Sequence, residues 1–333
     1  MAFMRSNRVF FPAFRKSQVR HFVAAKISAK DVKLLRDQTG APMMECKKAL
    51  QHEDVQGDVE KAVDWLRKHG IAAASKRSSK DAAEGLIALS LSPCKRFASV
   101  VELNSETDFV ARNTLFQEAL RKVADCALSL AENTVDKNNT TNDSQYKNIT
   151  KVLLEHKLDD GTNVSEMIAE LGGTVRENIL LSNAEIVSVG SNSSVTGYIH
   201  NQFAPNMGTM ACIVGLEDGN DADDNTIANQ IALHVTAAAP KYLTVNDIPE
   251  DDLEREASIL REQGLASGKP ADIVEKMVTG RMKKFHKEFC LIEQEFIVDD
   301  SKRTVKKVLK DNNSDMSGFL WKKVGGSGSV SGF

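Results

Sequence analysis

The sequence predicts an α+β protein: an N-terminal three-helix module, then a two-part core of antiparallel sheets with flanking helices, and a helical hairpin within the second part. Three observations carry this prediction. Apolar residues recur at helical spacing behind capping residues over 27–75. Alternating stretches over 85–103 and 184–216 read as strands. A highly charged helical stretch over 250–290 is broken once, at Gly264 to Pro270. The 333 residues are 41% hydrophobic and 27% charged with a net charge of −3, ordinary globular usage that excludes a wholly disordered chain. Aromatics at 6% and a near-neutral balance argue against a protein that coats nucleic acid. No run of about 18 apolar residues occurs, so no membrane-spanning helix is expected.

The charge is unevenly spread. Residues 1–30 carry Arg5, Arg8, Arg15, Lys16, Arg20, Lys26 and Lys30, interleaved with Phe3, Phe10, Phe11, Phe14 and Phe22, and no acid before Asp31. Arg15 and Lys16 interrupt what a secretory signal would need as an apolar run. The two remaining readings are an organelle transit peptide over 1–26, of mitochondrial type, and a basic arm for nucleic acid or lipid. The leader is favoured because the acid-free stretch stops where the first capped helix starts. Its removal takes away bases only, leaving a more acidic chain suited to a protein partner rather than to nucleic acid or membrane.

Ser28 with Asp31 marks the start of the first helix, Val32 and Leu35 form its apolar face, and Thr39-Gly40 ends it. Pro42 opens the second, in which Met43, Cys46 and Leu50 share a face. Adjacent helical residues point about 100° apart, so Met43 and Met44 are not both buried, and one is expected at the surface. Gly57-Asp58 opens the third helix, carrying Val59, Ala62, Val63 and Leu66, and Gly70 closes it. Ala72 to Lys80 reads as a small, basic linker.

The first half of the core, 81–181, begins with a hairpin: Gly85 to Leu91, a turn at Ser92 to Lys95, and Phe97 to Leu103. The chain then passes through Asn104 to Arg112 into a helix whose stripe is Phe116, Leu120, Val123, Ala127 and Leu130. Thr107 or Asp108 could cap that helix, with Phe109 entering the core. Residues 131–150 are rich in Asn, Asp, Thr, Ser and Lys and read as an exposed loop. Asn163 with Glu166 starts another helix, which Gly172-Gly173 stops.

The second half, 182–324, reads as strands at 184–189, 195–200 and 209–216, with a turn over Asn201 to Gly208. A helix face of Ile227, Ile231 and Val235 ends at Ala237 to Pro240. The helical hairpin over 250–290, a short helix near 301–310 and a strand at Ser317 to Leu320 follow. Gly325 to Phe333 reads as a flexible Gly/Ser tail.

Two stretches are more specific. Leu35-Arg36-Asp37-Gln38-Thr39-Gly40-Ala41-Pro42-Met43-Met44-Glu45-Cys46-Lys47-Lys48-Ala49-Leu50 and Glu102-Leu103-Asn104-Ser105-Glu106-Thr107-Asp108-Phe109-Val110-Ala111-Arg112 resemble the two signatures of translation elongation factor Ts. The runs Ser267 to Pro270 and Glu275 to Phe285 resemble that family's coiled-coil protrusion. Gly173-Thr174 and the long Gln202 to Pro205 turn depart from its pattern. The resemblance implies a ubiquitin-associated-like fold for the three-helix module and nucleotide exchange on the GTPase elongation factor Tu, in the mitochondrial matrix. It implies partner contacts at Thr107, Asp108, Phe109, Val110, Leu171, Gly172 and His200 near the magnesium and nucleotide site, with docking at Met43 and Met44. It implies no catalytic residue, no metal and no cofactor.

The residues themselves agree with binding rather than chemistry. No phosphate loop, His-Glu-x-x-His or Gly-x-Ser-x-Gly occurs; Gly268-Lys269 lacks the glycine spacing and hydroxyl of a phosphate loop. The five cysteines are odd in number and dispersed, so neither a disulfide framework nor a zinc site is expected. The alternative is an adaptor whose three-helix module binds ubiquitin-like or nucleic-acid partners, with Asp108 and Phe109 purely structural.

Overall fold

The computed structural model describes residues 27–39, 41–77, 82–134, 144–217, 227–326 and 328–333. The expected leader over 1–26, Gly40, the end of the linker and the middle of the Asn-rich stretch lie outside the described residues. The chain divides into two compact units, one up to Leu66 and one from Arg67.

The first unit holds α1 (Ala29–Thr39), α2 (Met43–Gln51) and the start of α3 (Val59–Arg77). The Ser28 hydroxyl accepts the Asp31 N–H at 3.1 Å, and the Asp31 carboxylate accepts the Ser28 N–H at 3.3 Å, closing a capping box. Asp58 accepts the N–H groups of Glu60 and Lys61 at the head of α3. Leu35, Cys46, Ala49, Leu50, Val55 and Ala62 make the core between the helices. Two expectations change. Met43 does not share the buried face of Cys46 and Leu50: it is 51% exposed and Met44 59%, and Ala49 completes the buried face. Gly70 does not close α3, which runs on to Arg77. An interior glycine costs a helix only about 1 kcal/mol, and Ala72-Ala73-Ala74 beyond it are the strongest helix formers.

The second unit is built on one antiparallel sheet. Its elements are β1 (Glu84–Leu91), β2 (Phe97–Ser105), α4 (Asp108–Ala111), α5 (Thr114–Thr134), β3 (Gln145–Asn148), α6 (Thr150–Glu155) and α7 (Val164–Val175). There follow β4 (Leu180–Ser188), β5 (Ser193–Ala204), β6 (Met207–Glu217), α8 (Ile227–Ala238), α9 (Glu250–Ala266), α10 (Ala271–Phe289), α11 (Val305–Asp311), β7 (Asp315–Lys323) and β8 (Gly328–Ser331). The strand order is β3-β4-β2-β1-β6-β7-β8, with β5 paired to β6.

Alternation sends successive residues to opposite faces. Leu86 and Ala88 of β1 and Val101 and Leu103 of β2 pack under α5 with Phe116, Leu120 and Val123. Their neighbours Ile87, Leu89, Ala98 and Val100 turn to the other face and meet Val187, Ile213 and Leu320. Cys212, Val214 and Leu216 of β6 pack with Ile231 and Val235 of α8 and Val308 of α11. The sheet is therefore buried on both faces, and it curls. Three strands separate β4 from β7 in the sheet order, yet Lys322 of β7 reaches Glu185 of β4 at 2.8 Å. Gly325 likewise donates its N–H to Glu102 of β2 at 2.8 Å. Flat strands about 4.8 Å apart would not allow either contact.

Four further expectations change. The segment 325–333 is not a free tail: β8 pairs with β7, and the Phe333 ring fills the space that a side chain at Gly215 or Gly318 would occupy. Residues 131–150 are not one loop: α5 continues to Thr134, and β3 pairs with β4. The turn between β5 and β6 is only Pro205-Asn206, with Asn206 at φ 58°; both strands extend around a bulge between Gln202 and Ala204. Finally, α7 passes through Gly172-Gly173 to Val175, and Arg176 at φ 64° ends it. The helical pair α9–α10 is as expected. Gly264 lies against Val274, and Arg261 pairs with Glu275 across it.

Candidate partner-docking site

The site begins where β2 ends. Ser105 is buried, and its hydroxyl donates to the Thr107 carbonyl at 2.8 Å, tightening the exit from the strand. α4 then makes a single turn. Ala111 is buried and Val110 packs against the first core, so the inward positions of that turn are taken. Phe109 is left pointing outward and is 79% exposed, more than any other large apolar side chain among the described residues. This overturns the reading in which Phe109 enters the core.

The turn is held from below by the loop after α7. Thr107 donates its N–H to Glu177 at 3.0 Å and its hydroxyl to the same carboxylate at 2.6 Å. Asn178 donates its N–H to Glu106 at 2.7 Å. The Thr107 hydroxyl donates to Glu177, and its side chain makes no capping hydrogen bond to α4. Gly172 is buried against that loop: a side-chain carbon there would lie 3.0 Å from the Glu177 carbonyl. Leu171 is buried in the first core. Leu171 and Gly172 therefore support the segment that holds Thr107, and Asp108 and Phe109 are what the turn presents.

On the other side the turn meets the β5–β6 hairpin. Asp108 pairs with Arg112 at 3.3 Å, and the Arg112 guanidinium lies 4.9 Å from the centroid of the Phe203 ring. His200 is exposed on the same strand as Phe203, with Nδ1 3.3 Å from the Tyr198 hydroxyl. Thr107, Asp108, Phe109, Val110, Leu171 and Gly172 thus form one linked neighbourhood, and Arg112 connects it to the hairpin bearing His200. Met43 and Met44 belong to the first unit, where both are exposed.

Sequence reasoning did not find Glu177, Asn178, Arg112 or Phe203. Arg112 carried a signal, four residues after Asp108 on one helical face. Glu177 carried none, because its partner lies 70 residues away. Among the described residues no group of three or more His, Cys, Asp or Glu could hold a metal ion, and no helix is long and apolar enough to cross a membrane. An exposed aromatic beside a carboxylate, on a turn fixed from both sides, is equipped to anchor a protein partner.

Comparison with known proteins finds relatives along most of the chain. The family model for elongation factor Ts matches residues 106–326. Elongation factor Ts of Rhodospirillum centenum is 41% identical over 288 residues, covering 86% of this chain and 87% of that protein. The Paramagnetospirillum magneticum protein is 40% identical over 312 residues, covering 93% and 90%. The Brucella anthropi protein is 40% identical over 308 residues, covering 92% and 91%. The chain belongs to the elongation factor Ts family.

Proposed function

We propose that this chain is the nucleotide exchange factor for elongation factor Tu in mitochondrial translation elongation, and that Asp108 and Phe109 carry the exchange. Elongation factor Ts is an exchange factor and not an enzyme, so no bond is made or broken. A factor that binds the nucleotide-free GTPase more tightly than its GDP form must, by reciprocity, weaken GDP binding. Such GTPases hold GDP through backbone amides and a magnesium ion, and small displacements of those elements suffice.

The observation that carries the reading is the 79% exposure of Phe109 on a turn fixed by Thr107–Glu177 and Glu106–Asn178. A turn whose backbone is already fixed presents its ring with little backbone reorganisation on binding. In this reading Phe109 wedges between elements of the GTPase, while Asp108 disturbs the support of its magnesium. His200, Leu171 and Gly172 anchor the second contact, and Leu171 and Gly172 also support the segment that holds Thr107. Met43 and Met44, on a three-helix module of ubiquitin-associated type, and the α9–α10 pair as a coiled-coil protrusion add docking area. No cofactor, nucleic acid or membrane enters.

The test is release of labelled GDP from mitochondrial elongation factor Tu. The chain should accelerate release, and Phe109→Ala should lower the acceleration by at least roughly thirtyfold, as for an interface anchor. Because the ring is exposed, the same variant should melt within about 0.5 kcal/mol of the parent. Full acceleration by Phe109→Ala would remove the wedge assignment. The mitochondrial setting rests on the acid-free, Arg-rich composition of residues 1–30. Fused to a fluorescent reporter, those residues should carry it into mitochondria; a reporter left in the cytosol would refute the setting.

A further inference from the structure

We propose that Phe203 is a positioning residue for exchange: its ring holds the Arg112 guanidinium beside Asp108 and ties the Phe109 turn to the β5–β6 hairpin. This rests on the exchange reading above and deepens it, by naming what sets the geometry of the exposed pair.

α4 is four residues long, too short to be stable alone, so its orientation comes from its attachments. Below it these are Ala111 in the core and the Glu177 carboxylate under Thr107. On the hairpin side the attachment is Arg112. Its ion pair with Asp108 is exposed on both partners, and an exposed pair between mobile side chains fixes little by itself. A ring under the guanidinium changes that. The planar cation is attracted to the aromatic face and loses the freedom to swing away from Asp108. Phe203 is itself well placed for this. Its neighbours pair with β6, Gln202 with Gly208 and Ala204 with Met207, and the bulge between them re-aims the intervening side chain. The ring is nevertheless 45% exposed, so its burial in the core is not what accounts for its place. Asp108, Arg112 and Phe203 then form one chain of contacts from α4 to the strand of His200. The two surfaces that meet the GTPase are held in register before it arrives.

The test uses the full chain, elongation factor Tu loaded with labelled GDP, and the variants Phe203→Leu, Phe203→Tyr and Arg112→Gln. Leucine keeps apolar bulk and loses the ring. Phe203→Leu should lower kcat/KM for GDP release by about two- to fivefold, the worth of one partly exposed cation–ring contact. Phe203→Tyr should restore the parent rate. In the Arg112→Gln background, Phe203→Leu should have no further effect, since the contact is already gone. Parent-like exchange by Phe203→Leu overturns the proposal, as does an undiminished loss in the Arg112→Gln background, which would assign Phe203 to another role. If Phe203→Leu also lowers the melting temperature, the double-variant comparison still reads the coupling. Failure of the unmodified chain to release GDP would instead strike the exchange reading, and full release by Phe109→Ala would strike the wedge. With both of those standing, the Phe203 result falls on this proposal alone.

Discussion

Ile297 donates its backbone N–H to Nδ1 of His234 at 3.3 Å, and a backbone N–H has no other role to play. Nδ1 must therefore keep its lone pair, and Nε2 carries the proton that is donated to Gln294 at 2.9 Å. The ring is buried against Phe296, and burial lowers its pKa, with Gln294 opposing the shift. Below the ordinary histidine pKa, about 6.5, the unfolded chain binds a proton that the folded chain refuses. His234 thus lowers stability as pH falls, by at most about 1.4 kcal/mol per pH unit. Urea denaturation at pH 7.5 and 5.5 should show a smaller acid loss for His234→Gln than for the parent. Equal losses would mean that His234 is charged in the folded state. The same residue-level logic explains Thr107, whose helix-capping chemistry was legible while its actual acceptor, Glu177, was not. A capping hydroxyl accepts a local N–H, which spacing can suggest; this one donates to a carboxylate 70 residues away, which spacing cannot.

At the scale of elements, what was legible is what is local. Ser28 with Asp31 and Asn163 with Glu166 close the caps their spacing suggested, and the Glu166 carboxylate accepts the Asn163 N–H at 3.3 Å. The stripes of α5 and α8 and the break between α9 and α10 likewise lie within one stretch of chain. Elements defined by a distant partner were missed. β3 is polar and reads as loop, but it finds β4. β8 is Gly-Ser-Val-Ser, short and with one branched apolar residue, yet β7 pairs with it, Ser331 accepts the Leu243 N–H, and Val330 and Phe333 pack on the core. Glycine hid this as well as allowed it. Gly215 and Gly318 look like weak points in strands, and both are empty so that one ring can fit. The candidate site divides the same way. Asp108 and Phe109 stand out only through the family resemblance, because composition alone sends a phenylalanine inward. The outward ring follows from a one-turn helix whose two inward places Val110 and Ala111 already hold.

At the scale of the whole second unit, curling brings first-half and second-half strands together, and a charge pair sits at the seam. Glu185 is 2% exposed; one carboxylate oxygen takes Lys322 at 2.8 Å and the Tyr146 hydroxyl at 2.8 Å, while the other has no partner. Burial raises the Tyr146 pKa, and the hydrogen bond to Glu185 adds to it, so the phenol stays a donor across the physiological range. A buried carboxylate so thinly served depends on its one cation. Lys322→Met should therefore destabilise the chain by about 3 kcal/mol, the low end for breaking a buried pair, because Lys322 keeps some contact with water. Adding Glu185→Leu should recover much of that, since an apolar pair leaves no charge stranded. Equilibrium denaturation of the two variants at neutral pH checks both. A Lys322→Met loss under 1 kcal/mol at neutral pH would mean that the apolar inner face alone closes the sheet. A full loss would place the electrostatic seam beside it as a second condition of the curl, the same curl that sets β2, and with it the Phe109 turn, against the β5–β6 hairpin.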